Sequence, residues 1–161
     1  MGLPTLRTSR RTSDLALPAD RAWAVVASGR RAPQWYVDAA PFLFRGAVDR
    51  LLGGRGRAWA PPGTPLLATG DTAGFWRVRE AGRAGRLRLV LEAAVRAPGR
   101  VLLCSEVEAL TGSGSRLHQA ASFEPDGLLG HAYLLADLPA REAVLELTHR
   151  RLLSDLDQGH R

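Results

Sequence analysis

The sequence contains no lysine, and all 22 of its basic residues are arginines. They exceed the 16 acidic residues and give a formal net charge of +6. Such a surplus can indicate nucleic-acid binding when the charge is clustered. Here the arginines are scattered, and no run of five like charges occurs. The absence of lysine, in a chain rich in Ala, Gly and Leu, is typical of GC-rich coding. We therefore do not predict nucleic acid as a partner.

Cysteine is nearly absent too, since Cys104 is the only one. An intrachain disulfide is therefore excluded, and a reducing cytoplasmic location is expected. Cys104 lies in the apolar run "RVLLCSEVEAL". That setting favours a small buried apolar side chain over a reactive nucleophile.

Long hydrophobic runs are missing as well. No stretch approaches the ~18 consecutive apolar residues of a membrane span. The arginine-containing start of the chain is not followed by the apolar segment of a signal peptide. We expect one domain over residues 1–161, with short flexible ends at 1–6 and 158–161.

The pattern of apolar residues predicts an order of elements. A strand is expected at 7–17, and a helix follows from Pro18, whose missing N–H costs nothing in a first turn. Helical segments are expected between 35 and 54, with a stripe of Phe44, Val48, Leu51 and Leu52. The other predicted elements are a rigid loop at 61–65, four strands within 73–125, and a long helix with Pro139 at its start and a stripe of Leu145, Thr148, Leu152 and Leu156.

This order predicts an α+β fold in which a curved antiparallel sheet wraps around a long C-terminal helix. The apolar face of such a sheet must be covered, and a long helix can cover it. A gap between a curved sheet and a helix is a common place for a ligand to bind.

The segment "LPADRAWAVVAS" resembles the opening of the START-like, polyketide-cyclase-like (SRPBCC) superfamily of helix-grip domains. A narrower resemblance over 35–155 is to a domain-of-unknown-function family often fused behind an NAD(P)-binding, epimerase-like domain. It is carried by "RGAVDRLLGG", "FWRV" and above all "SRLHQAASFEPDGLLGHAY". The resemblance implies a separate oxidoreductase as a candidate partner.

No cofactor is predicted for this chain. The glycine-rich "GGRGRA" at 53–58 follows a predicted helix and lacks the spacing of a dinucleotide fingerprint. The sequence has neither metal-ligand spacing among its histidines nor a G-x-S-x-G motif, so neither zinc nor a serine-hydrolase triad is expected.

Five residues are predicted to line a ligand cavity. Trp76 lies in a strand of period two and offers an indole either to the core or to a ligand. Gln119 is a polar residue on an inward strand face, where it either makes a structural hydrogen bond or orients a ligand. The remaining three are the apolar residues Leu89, Leu91 and Phe123.

Two residues are candidates for proton transfer. Glu92 should face outward in an ion pair, unless a bulge near Ala93 turns it inward and burial raises its pKa. Tyr133 follows a glycine-rich segment and either caps the cavity or anchors the loop.

These observations predict that the chain binds a small hydrophobic or aromatic, polyketide-like or lipid-like molecule. An enzyme built this way would carry out cofactor-free cyclisation, dehydration or isomerisation. The alternatives are a non-catalytic carrier or sensor and an interaction module for a separate oxidoreductase.

Overall fold

The computed structural model describes residues 8–41, 59–83, 85–94 and 99–158, excluding the side chains of 83 and 131–137. The predicted helical stripe at Phe44, Val48, Leu51 and Leu52 lies outside these ranges. Of the chain ends predicted to be flexible, 1–6 and 159–161 also lie outside them, whereas Gln158 is the last residue of a helix.

The main feature is a six-stranded antiparallel sheet. Its strands are β1 (Thr8–Leu15), β4 (Thr72–Ala73), β5 (Trp76–Arg83), β6 (Arg86–Ala93), β7 (Gly99–Ala109) and β8 (Ser115–Pro125). Their spatial order is β1-β8-β7-β6-β5-β4, so the first strand pairs with the last. The strand predicted at 7–17 and the four predicted within 73–125 are confirmed.

A smaller two-stranded sheet joins β2 (Ser28–Gly29) to β3 (Thr64–Leu66). The prediction of a rigid loop at 61–65 is therefore wrong at its end, because Thr64 and Pro65 belong to β3. Pro65 is tolerated in β3 because an edge strand does not need every backbone N–H.

Alternation along the strands separates two faces of the main sheet. On β8, alternate residues from Ser115 to Phe123 are buried, and those between them are partly exposed. We call the buried side the inner face. It also carries Val78, Leu89, Leu91, Leu103 and Val107.

Three helices are described. They are α1 (Ala19–Val26), α2 (Trp35–Asp38) and α3 (Gly127–Gln158). The long α3 contacts β1 and β8 and covers that part of the inner face, whereas α1 contacts β6, β7 and β8. Its predicted stripe of Leu145, Thr148, Leu152 and Leu156 is confirmed, since all four are at most 1% exposed.

The prediction that α3 starts at Pro139 is wrong. The helix begins at Gly127, and Pro139 lies inside it. Proline inside a helix removes one backbone hydrogen bond, which the rest of a 32-residue helix can outweigh. The α+β helix-grip architecture itself is confirmed.

Candidate functional site

The apolar part of the inner face holds four of the five predicted ligand-lining residues. Trp76, Leu89, Leu91 and Phe123 are all buried, with at most 3% of each exposed. Leu91 is the register partner of Val78, which extends this apolar area across β5 and β6. The structure thus places these side chains on the inner face of the same sheet.

The indole of Trp76 is held by the backbone of α2. Its Nε1–H donates to the carbonyl oxygen of Tyr36 at 2.7 Å. Neighbouring aromatics are held in the same way: Trp35 Nε1 donates to Val26 O at 3.0 Å, and the Tyr36 hydroxyl donates to Ser28 O at 2.6 Å. Trp76 can therefore offer a ligand its ring but not its N–H.

Arg77, the arginine after Trp76, points to the other side of the sheet. Its guanidinium lies 5.7 Å from the ring centroid of Trp59. This is a cation–π distance, so Arg77 pairs with a different indole from the one it follows in sequence.

Gln119 lies in a buried chain of hydrogen bonds. Its Nε2 donates to Ser105 Oγ at 3.0 Å, and its Oε1 lies 2.8 Å from His149 Nδ1. His149 Nε2 in turn lies 2.8 Å from Ser13 Oγ. We call these four residues, from β1, β7, β8 and α3, the polar chain. The predicted structural hydrogen bond of Gln119 is present, but its partners are side chains rather than loop backbone.

The bonding pattern assigns the tautomer of His149. Because Oε1 of Gln119 can only accept, Nδ1 of His149 carries the hydrogen. The lone pair of the neutral ring is then on Nε2, where it accepts the hydrogen of the Ser13 hydroxyl.

Burial lowers the pKa of His149, because the charged imidazolium would lose its hydration. Glu146 acts in the opposite direction, whereas Arg11 lowers the pKa further. The side chain is 5% exposed. The imidazole is therefore neutral at pH 7 and able to accept a proton.

A charged group borders the polar chain on the same edge. Arg11 donates through Nε to Glu146 at 2.6 Å and through Nη2 to Glu142 at 3.0 Å. Further along, the buried Arg141 donates through Nε to Ser9 Oγ at 3.1 Å. These bonds tie β1 to α3 beside the polar chain.

Thr148 presents a buried hydroxyl that has no hydrogen-bond partner among the described residues. The residue is fully buried and belongs to the stripe of α3 that faces the sheet. An unpaired buried hydroxyl costs about 1–3 kcal/mol. This cost needs an explanation other than packing alone.

Glu92, one of the two predicted proton-transfer residues, lies away from the polar chain. Glu92 alternates with the buried Leu91 and pairs with Arg79 on the outer face. The hydrogen bond from Arg79 lowers the pKa of Glu92. The inward turn that a proton-transfer role would require is absent at this residue. The side chain of Tyr133 lies outside the described part of the structure.

Sequence reasoning missed Ser13, Ser105 and His149. Gln119 was the available signal, because a buried amide on an apolar strand face needs partners. Its partners lie 14 and 30 residues away, on other elements, and no local spacing marks them.

Among the described residues, no group of three or more His, Cys, Asp or Glu side chains could hold a metal ion. No described helix combines the length and apolar character needed to cross a membrane.

Solved structures with a similar fold include a hypothetical protein from Helicobacter pylori. It is 16% identical with a TM-score of 0.51, and the alignment covers 97% of this chain and 89% of that one. A START superfamily protein from Mycobacterium smegmatis is 13% identical with a TM-score of 0.49, covering 94% and 95%. An aromatase/cyclase from a Streptomyces species is 16% identical with a TM-score of 0.45, covering 96% of each chain.

A comparison with curated proteins finds no match. A family model does match, over residues 8–147, which is far more than half of the chain. That range includes all six strands of the main sheet and the larger part of α3. The resemblance to a domain-of-unknown-function family is thereby confirmed, whereas the fusion to an NAD(P)-binding domain stays a prediction. The chain belongs to the family described as "Protein of unknown function (DUF2867)".

Proposed function

We propose that this chain binds a small, largely apolar molecule between the inner face of the sheet and α3. The observation that carries the proposal is the buried Thr148 hydroxyl, which has no partner among the described residues. A ligand oxygen or nitrogen placed beside it would satisfy the hydroxyl, and apolar surroundings would accept the rest of the molecule.

The inner face of the sheet offers surface for such a ligand. Trp76, Leu89, Leu91 and Phe123 supply apolar and aromatic surface, as small-molecule sites usually do. Gln119 can form hydrogen bonds to the ligand as well. Its side-chain amide can make four hydrogen bonds, and two of them are used by Ser105 and His149. An aromatic or polyketide-like molecule with one or two oxygens matches this combination.

Binding without turnover, as in a carrier or sensor, is the second candidate. The outward position of Glu92 favours it, because one of the two predicted proton-transfer residues then lies away from the ligand. Cofactor-free cyclisation, dehydration or isomerisation remains part of the proposal through Tyr133. The predicted oxidoreductase partner stays a prediction.

Native mass spectrometry of protein purified from its own host tests the binding proposal. We expect a discrete additional mass, which solvent extraction would identify and which could then be assayed for turnover. A clean unliganded mass, together with no uptake of an apolar fluorescent probe, would show that the inner face is simply filled by the core.

Thr148→Val tests the role of the hydroxyl, since valine has nearly the same shape. We expect ligand or probe affinity to fall about 10-fold, the usual range for one lost hydrogen bond. Thr12→Val is the matched control, because Thr12 lies on the exposed outer face. Equal affinity in both variants would exclude Thr148 from the site.

A further inference from the structure

Three residues of the polar chain have the arrangement of a nucleophile, a base and an orienting group. Ser13 Oγ lies 2.8 Å from His149 Nε2, and His149 Nδ1 lies 2.8 Å from Gln119 Oε1. Such triads are recognised by geometry rather than by sequence position. Here the three residues come from β1, α3 and β8, which explains why no local motif marks them.

We propose that Ser13 is a nucleophile toward activated acyl groups, with His149 as its general base and Gln119 as the positioning residue for the imidazole. The substrate class is a small apolar ester or thioester. This activity goes beyond the proposed binding function, although the apolar acyl part would occupy the same space under α3.

The hydrogen-bond directions suit this role. Gln119 holds the hydrogen on Nδ1 of His149, so the Nε2 lone pair is directed at the Ser13 hydroxyl. Ser105 fixes the other end of the amide by accepting from Gln119 Nε2. The imidazole is thus restrained in both tautomer and orientation before any substrate arrives.

The accessibility of Ser13 also fits this role. Ser13 is half-buried on β1, the edge strand of the six-stranded sheet, whereas Gln119 and His149 are buried behind it. The charged groups that act on His149 are Arg11 from β1 and Glu146 from α3. Arg11 lies two residues from Ser13 on the same strand, and its guanidinium is paired with Glu142 and Glu146.

The chemical step needs only water as co-reactant. His149 Nε2 takes the Ser13 proton while Oγ forms a bond to the acyl carbon. The bond to the leaving alcohol or thiol breaks, and the leaving group takes that proton from His149. Water, activated by the same imidazole, then releases the carboxylic acid and restores the Ser13 hydroxyl.

Phenylmethanesulfonyl fluoride provides a direct probe, because its sulfur bonds to an activated serine Oγ as fluoride leaves. We expect labelling of the folded full chain at Ser13, located by peptide mass mapping. His149→Gln should slow it at least about 100-fold, as expected when a general base is lost. His118→Gln, which alters an exposed histidine on the outer face, should label at the wild-type rate.

The pH profile separates this role from a purely structural one. Labelling of the wild-type chain should decline as pH falls through the lowered pKa of His149, without any variant being needed. Gln119→Glu should move the midpoint upward, because a carboxylate at this position stabilises the imidazolium.

Absence of label at Ser13 in the folded wild-type chain would overturn the proposal. Labelling of His149→Gln at the wild-type rate would do the same. Uptake of the apolar fluorescent probe, measured on the same samples, reports separately on the proposed binding function. The two proposals can therefore fail independently.

Discussion

At the scale of single residues, the buried aromatic side chains link secondary-structure elements by hydrogen bonds. Trp76 joins β5 to α2 through the Tyr36 carbonyl, and Trp35 joins α2 to the end of α1 through Val26. A buried carbonyl needs such a partner because water cannot reach it. The same bonds limit what these indoles can offer to a ligand.

Trp76→Phe should therefore destabilise the fold. It removes the donor to Tyr36 O and some ring volume, so we expect a loss of about 2–4 kcal/mol in the free energy of unfolding. Urea denaturation measures it. Trp59→Phe is the control, since this half-buried ring keeps an aromatic face for Arg77 and should cost less than about 1 kcal/mol. Equal losses of stability in the two variants would contradict a stabilising hydrogen bond from Trp76 to the Tyr36 carbonyl.

His149 should make stability depend on pH in a defined window. Its folded-state pKa lies below the usual 6.5, so the unfolded chain binds more protons and stability falls as pH drops below about 6.5. The free energy of unfolding falls by at most about 1.4 kcal/mol per pH unit. It stops falling once the pH is below the folded-state pKa, because both states are then protonated.

Unfolding between pH 7 and 5 checks this prediction. In His149→Gln the stability should change little between pH 7 and 5, whereas in His118→Gln it should fall as in the wild-type chain. The lowered pKa values of Glu142 and Glu146 act separately, because their stabilisation is lost only as pH falls below about 4.5. A wild-type chain with constant stability over this window would contradict a neutral buried His149.

At the scale of elements, close contact between β7 and β8 explains why β7 must begin with glycine. Gly99 opens β7 at φ +150°, opposite Pro125 of β8. A Cβ there would lie 2.3 Å from the Glu124 carbonyl oxygen and 2.8 Å from the Phe123 ring. Neither a backbone oxygen in a ladder nor a buried ring can easily move away.

Gly99→Ala should cost more than about 3 kcal/mol, because steric overlap adds to an unfavourable φ. Gly112→Ala isolates the backbone contribution, since Gly112 also has positive φ but nothing lies within 4 Å of its Cβ position. That variant should lose about 1 kcal/mol. Thermal or urea unfolding compares the two, and similar losses would mean that β7 moves to accommodate the methyl group.

The secondary-structure elements show which parts of the fold can be predicted from local sequence patterns. Alternation on β6 and β8 and the stripe on α3 predicted which residues are buried, because period and burial are directly linked. The start of α3 was misplaced because proline usually marks a first turn, and here tertiary packing keeps it inside a longer helix. The polar chain could not be predicted, since it depends on the register of β1 with β8 and on the rotation of α3.

At the scale of the whole molecule, much of the positive charge is locally balanced. Ion pairs with carboxylates are formed by Arg11, Arg79, Arg88, Arg116, Arg150 and Arg151. Exposed pairs of this kind contribute little to stability, but they reduce the charge offered to a polyanion. The net charge of +6 already counts these carboxylates, so the distribution of charge over the surface, rather than its total, bears on binding to a polyanion.

We expect no binding of a DNA duplex of about 20 base pairs tighter than about 100 µM at physiological salt, which is the weak end of non-specific affinity. Fluorescence anisotropy over a salt series measures it. A micromolar dissociation constant with a steep salt dependence would contradict this expectation and would indicate a basic surface that the paired arginines do not explain.

The pairing of β1 with β8 also has a consequence for biosynthesis. Leu15 pairs with Ser115, about 100 residues later in the chain, and at ~5–20 residues per second the ribosome needs ~5–20 s to make that segment. Throughout this interval the first strand lacks the partner with which it pairs in the finished sheet. Ser13 meets His149 later still, so a nascent chain acquires its polar chain only after residue 149 has been made.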